Sequence, residues 1–343
     1  MSIKISFCIP TYNFGRFIGE ALEGIIAQAT DEVEIVVVDG ASADNTQEVI
    51  RHYQKLFPRI SYFLREKNMG VDRDIDKAVE LAKGQYCWLM SADDRPKPGA
   101  IKRMLGEIES GYNIYLCNRT ECDFSLRPIK DRLFLSRGIG DSVFDLSDNA
   151  SLAYYLNKSR AMGALFSYCS SLVFNRQNWN DISYDDLLTG TCYAHVYRLF
   201  SLINLKACRL KYIREPLIFC RGNNDSFLAQ GQVRRLFIDI DGYSLLAGRL
   251  FAKDIKARKL FLQVVMRDIK FAYLIKIRSL IDEAGVWEEA KTRLSGYGYS
   301  AAALGLAGTL GSLKTFVKIF FNIRGKIKNR LFCVYGIRKK ICA

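Results

Sequence analysis

The run VEIVVV at residues 33–38 is too continuously apolar for a strand with one wet face. A one-sided strand alternates; an unbroken run suits a parallel strand covered on both sides. The run belongs to a series. Ile3 to Ile9 (IKISFCI) reads as a strand closed by Pro10. Asn13 is placed to cap a helix whose apolar residues recur at 14, 17, 18, 21, 22, 25 and 26. After Asp39 and Gly40, Asp44 followed by Gln47 makes a capping-box-like start for a helix striped by Val49, Ile50, Tyr53, Leu56 and Phe57. Ile60 to Leu64 is a third strand, and a third helix is expected over about 71–83, stopped by Gly84. Tyr86 to Met90 is a fourth strand, ended by Asp93 and Asp94 before Pro96 and Pro98. This alternation predicts an α/β fold with a mostly parallel sheet flanked by helices.

In such sheets ligands bind outside the carboxyl ends of the strands. Those ends carry PTYN (10–13), DG (39–40), NMG (68–70) and SADD (91–94), four polar clusters converging on one crevice. An aromatic beside Pro and Thr can stack on a flat base. An acid after the second strand can accept hydrogen bonds from a base edge or ribose. Two adjacent acids repel unless a positive group lies between them, and a hard divalent cation is the simplest such group, with room left for phosphate oxygens. Together the clusters describe a nucleotide-diphosphate site with a metal clamp. No GxGxxG follows the first strand, which argues against a dinucleotide cofactor; GIGDSVF (138–144) follows no strand, and no Walker A motif is present.

Beyond Asp94 the chain reads as a helix over about 98–109 and a strand over 113–117. An irregular polar region follows over 119–150, then a buried strand over 167–174. A polar loop (184–191) precedes a helix bearing His195 (about 192–205), and 210–220 reads as a strand pair or hairpin ending in RGNNDS. Helical patterns follow at about 228–252, 254–282 and 286–294. We therefore divide the chain into an α/β domain, 1–226, and a helical C-terminal region, 227–343. The first has a nucleotide half over about 1–118 and an acceptor half over about 119–226. Eleven Lys/Arg and no acid between Ala290 and Ala343 account for most of the net charge of +14, so basicity is a property of the tail. KTFVKIFFNIRGKIKNRLF (314–332) is cationic and amphipathic, suited to an anionic membrane surface. It has few aromatics placed for base stacking, so nucleic acid is not an expected partner. The ten cysteines include no CxxC pair and several sit in apolar runs, which argues against zinc and disulfides and for a reducing cytoplasm. MSIKISFCIP lacks the apolar core of a signal peptide, and the longest uncharged apolar stretch, Ala301 to Leu313, is too short to span a bilayer. The expected location is therefore cytoplasmic and peripheral on the membrane.

IPTYN (9–13), VVVDGASADNT (36–46), NMGVDRD (68–74) and SADD (91–94) together resemble the GT-A fold, family 2 type glycosyltransferases. The resemblance implies that Pro10, Thr11, Tyr12 and Asn13 meet base and ribose and that Asp39 and Gly40 read the pyrimidine. It places Asn68, Gly70, Asp72 and Arg73 near ribose and phosphates. Ser91 and Asp93 support the ribose or metal, and Asp94, with Asp93, ligates Mg²⁺ or Mn²⁺. GQYCW (84–88), IYLCNR (114–119), FSYCSSLVF (166–174), TGTCYAH (189–195) and CRGNNDSF (220–227) are similar to the abequosyltransferases of bacterial O-antigen assembly, over about residues 3–245. That likeness implies a CDP-sugar donor, a 3,6-dideoxyhexose, and an undecaprenyl-diphosphate-linked oligosaccharide acceptor. An inverting family 2 transferase using a UDP-hexose is the alternative.

Two positions depart from the family 2 pattern. Ser91 replaces the first acid of a DxDD run, and the acceptor-side Glu-Asp pair is absent where Thr191, Cys192, Tyr193, Ala194 and His195 stand. Three arrangements follow: His195 is the base, Asp185 or Asp186 is, or no base is needed. The last fits the retaining course that the abequosyltransferase likeness implies, with the departing phosphate taking the acceptor proton. Arg221 has the forked donor that suits a diphosphate, with Asn223 or Asp225 expected near the metal through water.

Overall fold

The computed structural model describes residues 2–204, 207–224, 231–281, 284–314 and 317. Asp225, and the basic segment 314–332 apart from Lys314 and Val317, lie outside the described residues. Strands β1 (Ile5–Thr11), β2 (Val33–Asp39), β3 (Ile60–Leu64) and β4 (Tyr86–Leu89) alternate with helices α1 (Gly15–Ile26), α2 (Thr46–Leu56) and α3 (Val71–Leu81). Next come β5 (Arg95–Pro96), α4 (Ala100–Ile108), β6 (Ile114–Cys122), β7 (Pro128–Arg132) and β8 (Ser142–Asp145). They are followed by α5 (Asn149–Lys158), β9 (Leu172–Asn175), α6 (Arg176–Asn180), α7 (Ala194–Ser201) and β10 (Arg209–Cys220). The later helices are α8 (Gln232–Leu250), α9 (Ile255–Asp268), α10 (Phe271–Ser279), α11 (Ala284–Ser295) and α12 (Ala301–Ser312).

The strands form one sheet in the order β3-β2-β1-β4-β9-β6-β10-β5, with β7 on β6 and β8 on β10. β3, β2, β1 and β4 are parallel, as expected; β9 then runs antiparallel to both β4 and β6. Every residue of β2 is buried, in keeping with cover on both faces. Each such Val or Ile contributes roughly 1.5–3 kcal/mol relative to exposure. Phe7 stacks on Trp88 with centroids 4.9 Å apart, joining β1 to β4. Glu34, also buried, is satisfied: its Oε1 accepts from Ser6 Oγ and from Lys83 N, both at 2.6 Å.

Contacts divide the chain into two compact units. The first holds Met1–Ser226 and Asp241–Asp268, the second Phe227–Ile240 and Ile269–Ala343. In the second, glycines let helices approach closely. A Cβ at Gly308 would lie 2.8 Å from Trp287 Nε1, and one at Gly311 would lie 2.5 Å from Arg278 Cβ. Among the described residues no helix is long and apolar enough to cross a membrane.

Four local expectations need correction. Asn13 does not cap α1; it adopts φ +56° and its Oδ1 accepts from Ala43 N, while Gly15 N, in the first turn of α1, donates to Asp44 Oδ2 at 3.0 Å. Asp44 therefore serves α1, its Oδ1 accepting from Thr46 N, and the capping box with Gln47 does not form. The loops after β1 and β2 are tied to each other, a pairing that local spacing does not encode. Region 119–150 carries the end of β6 and two short strands. Residues 210–220 make one strand, parallel to β6, whose register shifts at Pro216, where the chain has no N–H to offer the ladder.

Candidate active site

Parallel register sets the level of the strand ends. Thr11 pairs with Asp39, and Asp39 with Leu64, so the turns after three strands open at one height. The strand order reverses between β1 and β4, which makes the crevice outside Tyr12 and Ser91–Asp94 the topological switch point. All the site residues described below belong to the first unit.

On the β1–β2 side, Tyr12 is 45% exposed and offers a flat ring to the crevice. Asp39 is fully buried; Oδ1 accepts from Ser42 N and Oδ2 from the Tyr62 hydroxyl, both at 2.8 Å. Burial and then that bond to Asp39 push the Tyr62 phenol up, keeping it a donor. Gly40 N donates to Thr11 O at 2.9 Å, and a Cβ on Gly40 would come within 2.9 Å of Asp74 Oδ2. Asn68 Oδ1 accepts from Gly70 N at 2.8 Å, and Gly70 takes φ +82°, a left-handed conformation that glycine reaches without Cβ strain.

On the β4 side, antiparallel pairing does the assembly. Trp88 faces Val173, and carrying that register onward brings Ser170 opposite Ser91. Ser91 N donates to Ser170 Oγ at 3.0 Å, and that hydroxyl donates to Asp94 Oδ2 at 2.5 Å. The Tyr168 hydroxyl donates to the same oxygen, and Arg221 N to Asp94 Oδ1 at 3.1 Å. Asp93 accepts from Ser91 Oγ through Oδ1 and from Asn224 Nδ2 at 2.8 Å through Oδ2. Burial, and then the charge of Asp93, push the Asp94 carboxyl up to about 7, against the pull of its three hydrogen bonds. Two adjacent hard carboxylates fit a divalent cation. Among the described residues no cluster of three His, Cys, Asp or Glu surrounds them, so phosphate oxygens and water would complete the shell.

The other expected site residues are placed differently. Asp72 is buried and turned toward residues 190–194. Oδ2 accepts from Gly190 N and Cys192 N at 2.9 and 3.0 Å, and Oδ1 from Ala194 N at 3.1 Å. It thereby serves the N-terminus of α7, and burial raises its pKa despite those bonds. Arg73 pairs with Asp186 and lies over the Tyr184 ring at 4.2 Å. Asp185 pairs with Arg249. Asp181, Tyr184, Asp185, Asp186 and Tyr197 line an open cavity of about 580 Å³. His195 is buried; Nε2 faces Phe166 O at 3.0 Å, Nδ1 has no partner, and burial lowers its pKa to about 4. That imidazole is neutral and has no exposed nitrogen to offer a substrate. The Arg221 guanidinium is engaged from below: Nε donates to Asp93 O at 3.0 Å and Nη1 to Phe124 O at 2.6 Å, with Glu20 3.2 Å from Nη2. Asn223 is exposed at φ +59°, and its neighbour Asn224 makes the contact with Asp93.

Sequence reasoning missed Tyr62, Tyr168, Ser170 and Asn224. The signal for two of them was present in SYCSS (167–171), a polar patch leading into an apolar strand.

Residues 6–179 match the family model described as Glycosyl transferase family 2. The chain is 35% identical over 273 residues to the abequosyltransferase RfbV of Salmonella typhimurium strain LT2, covering 78% of this chain and 82% of that protein. It is 29% identical over 209 residues to the GalNAc(5)-diNAcBac-PP-undecaprenol beta-1,3-glucosyltransferase of Campylobacter jejuni, covering 60% of this chain and 64% of that protein. Among solved structures, TarS 1-349 of S. aureus in complex with UDP-GlcNAc is similar at a TM-score of 0.63. It covers 93% of this chain and 92% of that one at 15% identity, a likeness of fold.

Proposed function

This chain belongs to glycosyl transferase family 2, and on that basis we propose that it moves abequose, a 3,6-dideoxyhexose, from a CDP-sugar to a lipid-linked O-antigen oligosaccharide. One observation carries the reading. Identity to the Salmonella abequosyltransferase extends over 78% of the chain, well past the nucleotide half. The site chemistry supports it. Tyr12 stacks on the base, Asp39 fixes the loop beside it through Ser42 N and the Tyr62 hydroxyl, and Asp93 and Asp94 would hold a Mg²⁺ or Mn²⁺. Such a cation, when bound, would supply Lewis-acid stabilisation of the negative charge on the departing CDP. Tyr168, Ser170 and the Arg221 N–H orient Asp94 for that task.

We assign a retaining course. The sugar C1–phosphate bond breaks, the acceptor oxygen bonds to C1 on the same face, and its proton passes to the leaving phosphate. His195 is buried and neutral, and Asp185 and Asp186 are each paired with an arginine, which supports a reaction without a carboxylate base. The acceptor saccharide lies along the cavity that holds Tyr184, Asp186 and Tyr197, aromatic and acidic groups suited to sugar faces and hydroxyls. The cationic segment 314–332 brings the enzyme to the cytoplasmic face of the membrane, where a lipid-linked acceptor resides. Incubation with CDP-abequose and a mannosyl acceptor, with the product's anomeric configuration read by NMR, tests the reading. An α-linked abequoside is expected. A β-linked product, or transfer from a UDP-hexose in its place, overturns it in favour of an inverting transferase.

A further inference from the structure

Arg119 has a guanidinium with almost nothing to bind. It stands in the outer half of β6, beyond the segment that pairs with β9, where its neighbours across the sheet are Arg132 of β7 and Ile218 of β10. Its guanidinium carbon lies 4.0 Å from the Tyr168 ring centroid and 5.9 Å from that of Phe134. Its acidic neighbour Glu121 is 3.9 Å away, the long end of an ion pair, and Glu121 is itself held by Lys130 at 2.9 Å. Nε of Arg119 is buried without a hydrogen-bond partner. A charged group withdrawn from water and so loosely paired is costly unless an anion arrives. The side chain keeps 22% of its exposure, so it is not sealed from solvent.

Its position supplies the anion. The Tyr168 ring on which the guanidinium rests donates its hydroxyl to Asp94. Arg119 is therefore the cation beside the carboxylate that would hold a metal-bound diphosphate. Arg221 has less of its fork to give, because the Asp93 and Phe124 carbonyls take Nε and Nη1, leaving Nη2, 3.2 Å from Glu20, without a hydrogen bond. A planar fork held flat by an aromatic face suits phosphate oxygens.

We propose that Arg119 binds the diphosphate of the donor nucleotide, its guanidinium positioned by the Tyr168 ring. The proposal rests on the nucleotide-sugar reading given above. It is tested by calorimetric titration of the full chain with CDP and with cytidine, both in Mn²⁺. For Arg119→Gln a loss of CDP affinity of about tenfold or more is expected, the size of one charge-assisted hydrogen bond, with cytidine affinity unchanged. Arg119→Lys, which keeps the charge without the fork, should lose less, and it decides the matter if Arg119→Gln does not fold. Unchanged CDP affinity in these variants overturns the proposal, as does an equal loss for CDP and cytidine. Wild-type protein that binds UDP and not CDP overturns the donor assignment alone; the same comparison then runs with UDP and uridine. Wild-type protein that binds no nucleoside diphosphate overturns both.

Discussion

The Tyr168 hydroxyl donates to Oδ2 of Asp94, a residue 74 positions earlier in the chain. Burial and the neighbouring carboxylate both push that phenol well up, so it stays a donor across the working range of pH. Tyr168 thus touches two charges at once, offering its hydroxyl to a carboxylate and its face to Arg119.

Asp94 is held at a cost to stability. Its folded pKa, about 7, stands above the ordinary 3.8, so the folded state binds the extra proton between those values and stability falls as pH rises through that window. Asp94→Asn should therefore be more stable than wild type at pH 8 without metal, on the order of 2 kcal/mol, with the gain gone near pH 4. Urea midpoints across pH read this out; a variant less stable at pH 8 contradicts it. Asp94→Ala should lose transfer by at least roughly 10²-fold while its circular dichroism stays that of wild type.

Asp72 joins the start of α3 to the loop at residues 190–194 by three backbone hydrogen bonds. Asp72→Ala leaves those N–H groups without their acceptor and should cost about 2–3 kcal/mol. Hydrogen exchange should rise at residues 190–194 and in the first turn of α7, and the acceptor KM should rise more than the donor KM. Unchanged exchange at these amides argues against the linkage.

His195 titrates in the opposite sense to Asp94. Its folded pKa, about 4, lies below the ordinary 6.5, so the unfolded chain binds the proton first and stability is lost as pH falls from 6.5 toward 4. The slope in that window is at most about 1.4 kcal/mol per pH unit. His195→Gln, whose amide can still donate to Phe166 O, should flatten that limb and keep transfer within about tenfold of wild type, below the 10²–10⁴-fold typical of a general base. A loss beyond a thousandfold would restore His195 as the base.

The tail prediction rests on charge. Removing the residues after Ser312 deletes nine of the eleven basic residues between Ala290 and Ala343. Binding to phosphatidylglycerol vesicles in a flotation assay should be lost, while binding of soluble nucleotide is retained; a truncated chain that still floats with the vesicles removes the membrane-surface role.

By itself the sequence determined the parallel half of the sheet and the identity of its end groups. Burial on both faces leaves a continuous apolar run, and a strand stops where polar residues and prolines begin, so β1–β4, Tyr12, Asp39, Asp93 and Asp94 were legible from local pattern. Tertiary structure alone decided which groups meet. The antiparallel β4–β9 register puts Ser170 and Tyr168 against Asp94, and the choice of that register depends on packing between segments far apart in the chain. The forked donor of Arg221, and its place after the last strand, pointed to that residue for the diphosphate. The fold engages two of its three nitrogens with the Phe124 and Asp93 carbonyls, and leaves Nε of Arg119 without a hydrogen bond. Asp72 likewise turned from the expected phosphates to the N-terminus of α7, because three unsatisfied N–H groups lay within its reach. Periodicity records whether a residue is buried; only long-range packing determines which partner buries it.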